Sequence, residues 1–156
     1  MAVNELHPAI KILETFFDKT PAENAGQRAL VLCDELPDEF QSLQSRCPGL
    51  QHQTVKNFVS QYHTMAIERW PLIVVVDDQN EALALDGFLA CIRDCAADRV
   101  LLWNDRASLS QLLALGFRRL EKTPDFFVFD LYDYKKRPDW FNADKFAHPH
   151  RWNAPE

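Results

Sequence analysis

Glycine is scarce in this chain, four residues in 156, and none of them stands in the turn after the first hydrophobic segment. A glycine-rich turn between strand and helix is what lets a nucleotide-like cofactor approach the backbone, so the usual sequence mark of such a site is missing. Long hydrophobic runs are missing too. No purely apolar run exceeds five residues, against the roughly 20 that a membrane-spanning helix needs, which excludes a helical span. Met1 to Leu6 has neither a basic start nor an apolar core and so does not resemble a secretory signal. The four cysteines contain no CxxC pair, and no neighbouring His completes a ligand set for Cys91 and Cys95. Reduced thiols in a cytoplasmic chain are therefore expected, and no structural zinc. The formal charge of −6 argues against a nucleic-acid partner, which needs clustered Lys and Arg, and the short stretch Lys135-Lys136-Arg137 does not reverse that.

What is present is a series of apolar segments that end in polar residues. Ala29 to Asp34, Leu72 to Asp78 and Arg99 to Asp105 read as buried parallel strands, each running into a polar loop. A hydrophobic fraction of 47% and a charged fraction of 26% fit one globular unit that buries about two-thirds of its unfolded surface. Residues 1–134 are expected to form an α/β domain, and residues 135–156 an irregular aromatic tail packed on it.

Helices are expected between the strands. Asn4 is placed to cap the first, whose Ile10, Leu13, Phe16 and Phe17 share a face. Pro37 starts a short helix carrying Phe40 and Leu43, which stops near Cys47-Pro48-Gly49. Residues 51–70 read as a brief strand and then a helix with Val55, Phe58, Val59 and Tyr62, because successive parallel strands need a crossover. Asn80 is expected to cap a helix with a buried stripe of Leu85, Leu89, Ile92 and Ala96, in which Gly87 either weakens the helix or permits close packing. Ser108 and Gln111 fit a capping box, Leu109, Leu112 and Leu113 form the buried face, and Gly116 takes the C-terminal cap. Phe117–Leu120 and Phe126–Tyr132 then pair as a hairpin across Lys122 to Asp125.

Over residues 72–133 the order of acid-ended strand, helix, strand, helix, Leu115-Gly116-Phe117 and terminal hairpin resembles the class I S-adenosylmethionine-dependent methyltransferases. The resemblance implies a Rossmann-like three-layer sandwich, with a mostly parallel sheet and a C-terminal antiparallel hairpin. It also implies a glycine-rich loop after the first strand for the cofactor's methionyl part, and a later carboxylate for its ribose. Here Val31-Leu32-Cys33-Asp34-Glu35-Leu36-Pro37 places side chains and a fixed proline where open backbone is needed. No ribose-binding carboxylate is placed on a second strand. The whole chain, with Phe129-Asp130-Leu131-Tyr132-Asp133-Tyr134-Lys135-Lys136 followed by Pro138-Asp139-Trp140, is similar to an uncharacterised bacterial family, a resemblance that carries no activity.

In a parallel sheet Asp34, Glu35, Asp77, Asp78, Asn104 and Asp105 gather at the carboxyl ends of the strands, where open α/β sheets bind ligands. Asp34, Asp77, Asp78 and Asn104 are the candidate cofactor contacts. The acids also suit magnesium, and Val75-Val76-Asp77-Asp78 is similar to the acidic pair of response-regulator receivers, but no later phosphoacceptor Asp and Lys complete that pattern, so no metal site is assigned. The competing reading is that these carboxylates cap helices. Cys33 is either a nucleophile near a helix N-terminus or a small buried hydrophobe. His52 and His63 have no identifiable partner. In the tail, Tyr134, Trp140, Phe141 and Trp152 lie beside several cations, either as a surface for a protein partner or as rings buried on the domain. The sequence thus leads to a cofactor-free, methyltransferase-like binding or regulatory protein. The alternatives are a divergent S-adenosylmethionine-dependent methyltransferase with its site near Asp34, Asp77 and Asn104, and a metal-dependent enzyme using Asp77 and Asp78.

Overall fold

The computed structural model describes residues 6–18, 27–62, 69–79, 81–85 and 87–134. In chain order these form α1 (His7–Phe17), β1 (Ala29–Leu32), α2 (Asp38–Arg46), β2 (Leu50–Gln53), α3 (Val55–Tyr62) and β3 (Trp70–Val76). Then follow α4 (Glu81–Ala84), α5 (Phe88–Cys91), a π-helical turn (Ile92–Ala96), β4 (Ala97–Trp103), α6 (Leu109–Ala114), β5 (Arg118–Arg119), β6 (Phe126–Asp130) and α7 (Leu131–Tyr134).

The strands make one six-stranded sheet in the order β2-β1-β3-β4-β6-β5. β2, β1, β3 and β4 are parallel, while β6 runs antiparallel to both β4 and β5. The interior strands are continuous apolar runs because parallel strands covered by helices have no wet face. Leu72 to Val76 are all buried, and alternate residues feed two cores. One core joins Leu30, Leu32, Ile73, Val75, Val100 and Leu102 to α3, α5 and α6, through Phe58, Phe88 and Leu112. The other joins Val31, Val74, Leu101 and Trp103 to α1 and α2, through Ala9, Leu13, Phe40 and Leu43. The expected mixed α/β sandwich with a terminal antiparallel hairpin is what forms.

Several local expectations change. The helix expected to run from Asn80 to Ala96 is broken at Gly87, whose φ of 71° is left-handed. A Cβ there would meet nothing within 4 Å, so this glycine serves the turn and not close packing. Leu85 is consequently 39% exposed and outside the stripe, while Leu89, Ile92 and Ala96 are buried as expected. Ser108 makes no side-chain cap and instead shares a hydrogen bond with Ser110, so no capping box forms. α6 is also shorter than its pattern suggested and buries Leu112 alone, leaving Leu109 and Leu113 at 37% and 54% exposed. Gly116 takes the left-handed cap as expected, with a φ of 84°. The N-cap of α1 is Leu6, without a side-chain hydrogen bond. Asn4 and Asn80 lie outside the described residues.

Candidate functional site

The chain leaves β1 toward β2 on one side and returns to β3 and β4 on the other, so the connections diverge between β1 and β3. The carboxyl ends of these two strands flank the switch point where such sheets bind ligands. β1 ends at Cys33 and Asp34, β3 at Asp77 and Asp78, and β4 at Asn104.

Asp77 and Asn104 come together as expected, but deep in the fold, at 3% and 1% exposed. One Asp77 carboxylate oxygen, Oδ1, accepts from the Ala82 N–H at 2.9 Å, and Oδ2 accepts from the Leu83 N–H at 3.2 Å. The Asn104 amide donates to Asp77 Oδ2 at 2.9 Å, while its own oxygen accepts from the Arg106 N–H at 2.7 Å. The Asp77 N–H bonds the Trp103 carbonyl, and the Asn104 N–H bonds the Asp125 carbonyl. These two side chains therefore tie the start of α4 to the loops after β3 and β4, and the Asn104 backbone joins the loop after β5 to the same edge. Asp34 is exposed and Asp78 half-buried, and neither shares in this network.

Cys33 is 2% exposed and belongs to the core packed on α2. Burial, reinforced by the negative charges of Asp78 and then Asp34, pushes its thiol up to about 12. A thiol so shielded is not a nucleophile at neutral pH. The buried-hydrophobe reading of Cys33 follows from that. His52 has a partner that spacing did not reveal, since its Nε2 lies 2.9 Å from the Cys33 carbonyl oxygen. His63, Trp140, Phe141 and Trp152 lie outside the described residues; Tyr134 closes α7 by its backbone. Among the described residues, no three His, Cys, Asp or Glu side chains gather in a metal-holding group, and no helix is long and apolar enough to cross a membrane.

Sequence reasoning missed Gln53, Lys56 and Glu81. Gln53 ends β2, Lys56 follows in the first turn of α3, and Glu81 opens α4. The Lys56 ammonium lies 3.1 Å from Glu81 Oε1, and the hydrogen bond and charge of Glu81, with Asp34 beyond, hold it above its ordinary range. Among the described residues, Gln53 Oε1 and Glu81 Oε2 are buried acceptors with no hydrogen-bond partner. A polar residue at the end of the second strand was the one available signal, hidden because that strand is only four residues long.

This architecture has a counterpart of known structure. A protein-(glutamine-N5) methyltransferase, release factor-specific, from Alicyclobacillus acidocaldarius subsp. acidocaldarius DSM 446 superposes with a TM-score of 0.52 over 82% of this chain and 91% of that one, at 13% identity. At that identity the likeness establishes a methyltransferase-like Rossmann fold and nothing about chemistry. Among curated proteins, none matches. The model of a family of unknown function, DUF6231, matches residues 10–155, and the chain belongs to that family.

Proposed function

We propose that this is a non-catalytic, methyltransferase-like binding or regulatory protein of the bacterial cytoplasm, acting without a cofactor. The observation that carries the reading is the turn after β1. Where this fold admits a cofactor's methionyl end, the chain has Cys33-Asp34-Glu35-Leu36-Pro37, with Cys33 buried and Pro37 at the N-cap of α2. Those residues do not fit an adenosyl cofactor, since no glycine opens the backbone to it. Of the polar residues at the strand ends, Asp77 and Asn104 are spent on holding the loops together. Four free cysteines agree with a reducing compartment. Tyr134, Trp140, Phe141 and Trp152 supply aromatic contact area for a protein partner.

A second reading, a divergent S-adenosylmethionine-dependent methyltransferase, is favoured by one feature. Gln53 Oε1 and Glu81 Oε2 are buried acceptors waiting for donors, and leaving such groups unsatisfied costs about 1–3 kcal/mol each. Hydroxyl groups of a ligand would satisfy them. A thermal-shift titration with S-adenosylmethionine and S-adenosylhomocysteine separates the two readings. A ligand at about 100 times its Kd adds roughly 2.7 kcal/mol to the native state and raises the midpoint by several degrees. The binding-protein reading expects no displacement from either compound; saturable stabilisation that Gln53→Ala abolishes would establish the second reading instead.

A further inference from the structure

Two thiols stand outside both cores and outside the strand-end edge. Free cysteine is among the most buried of residue types and normally packs as a small hydrophobe, as Cys33 does at 2% exposed. Cys95, by contrast, is exposed and Cys91 half-buried. Both lie on one continuous stretch of helical backbone, made by α5 and the π-helical turn after it, and the residue that follows each, Ile92 and Ala96, is buried. Side chains four residues apart share a helix face. The two thiols therefore stand one above the other beside the buried stripe, at the amino end of β4 and so at the opposite end of that strand from Asn104.

Distance decides what such a pair can do. Cβ atoms four residues apart on a helix are separated by about 5–6 Å, whereas a disulfide needs about 3.5–4.5 Å, so an S–S bond would distort the turn. A thiophilic ion held between the sulfurs requires no such distortion. With metal–sulfur bonds of about 2.3 Å, a linear S–metal–S unit spans about 4.6 Å, close to the separation the helix already sets. The ligand count narrows the ion. Among the described residues no third His, Cys, Asp or Glu joins the pair, which leaves the four-ligand set of zinc incomplete, and soft thiolates select Cu(I). π-helical turns are themselves rare and recur at functional sites, and this one, closed by the Ala97 N–H on the Ile92 carbonyl, carries Cys95.

We propose that Cys91 and Cys95 form a two-coordinate site for a soft monovalent cation of the Cu(I) type. Each thiol gives its proton to solvent as its S–Cu bond forms, so the ion is held by two thiolates and no group changes oxidation state. The inference stands apart from the binding reading, since it uses neither the strand-end crevice nor the aromatic stretch.

The test uses the full chain with its thiols kept reduced, titrated anaerobically with Cu(I) in competition with the coloured bicinchoninate complex. Withdrawal of one ion per chain is expected, with X-ray absorption showing two sulfur neighbours. Cys91→Ser and Cys95→Ser should each weaken the affinity at least about a hundredfold while leaving the far-ultraviolet spectrum unchanged. Cys47→Ser, on α2, should bind as the parent chain does. Failure to withdraw the ion, uptake that survives in Cys91→Ser or Cys95→Ser, loss of uptake in folded Cys47→Ser, or one ion shared by two chains would each overturn the proposal.

Discussion

Asp77 holds the start of α4, where its carboxylate accepts two backbone N–H groups. The same carboxylate grips Asn104, so removing it leaves the Ala82 and Leu83 N–H groups without this acceptor and reduces the Asn104 amide to its longer bond with the Asp77 carbonyl. Each costs about 1–3 kcal/mol when orphaned, with partial relief from water. Asp77→Ala is therefore expected to lose about 3 kcal/mol of stability, read as a lower urea midpoint at an unchanged slope. Asp77→Asn, which keeps one acceptor oxygen, should lose roughly half as much. A loss in Asp77→Ala within about 0.5 kcal/mol of zero, the range of ordinary surface changes, would show that Asp77 does not hold this edge.

Among the elements, the β1–β2 pair depends on a close approach that sequence pattern could not disclose. Gly49 precedes β2, and its carbonyl accepts from the Ala29 N–H at 3.1 Å. A Cβ on Gly49 would run into the Gln27 carbonyl oxygen, a backbone atom unable to step aside while that hydrogen bond holds the chains together. Gly49→Ala should thus cost about 2–3 kcal/mol by the same denaturation measurement, within the range of an overpacked site. Gly87→Ala, with open space around it and only a left-handed φ to strain, should cost about 1 kcal/mol. Equal losses in the two variants would refute the distinction. The contrast also shows what sequence carries. β3 and β4 were legible because burial on both faces demands an unbroken apolar run, and the hairpin because Gly116 and the Pro124-Asp125 turn punctuate it. The break at Gly87 and the exposure of Leu109 and Leu113 were not, since an apolar period looks the same whether or not a neighbouring element arrives to cover it. At the site, the gathering of Asp77 and Asn104 followed from topology, whereas their consumption by backbone donors, and the Gln53, Lys56 and Glu81 group, depend on loop paths that no local pattern specifies.

At the scale of the whole molecule, the sheet order sets a gradient of stability. β3 lies between β1 and β4 with Leu72 to Val76 buried, and exchange of its amides requires separating both halves of the sheet. β2 and β5 are edges, and β5 consists of two exposed residues. Amides that open only with the global transition report its full free energy, and those at edges open by local fraying at far lower cost. Native-state hydrogen exchange should therefore give β1, β3 and β4 one common opening free energy equal to the urea value, with β5 exchanging at least a hundredfold faster. β6 is the informative strand, since its residues are buried toward β4 but its outer neighbour is short. If β6 shares the exchange of β4, the hairpin is integral to the cooperative unit, and all six strands open together in the global transition. Early exchange of β6 with β5 would mean that the hairpin opens as a flap on a four-stranded parallel core.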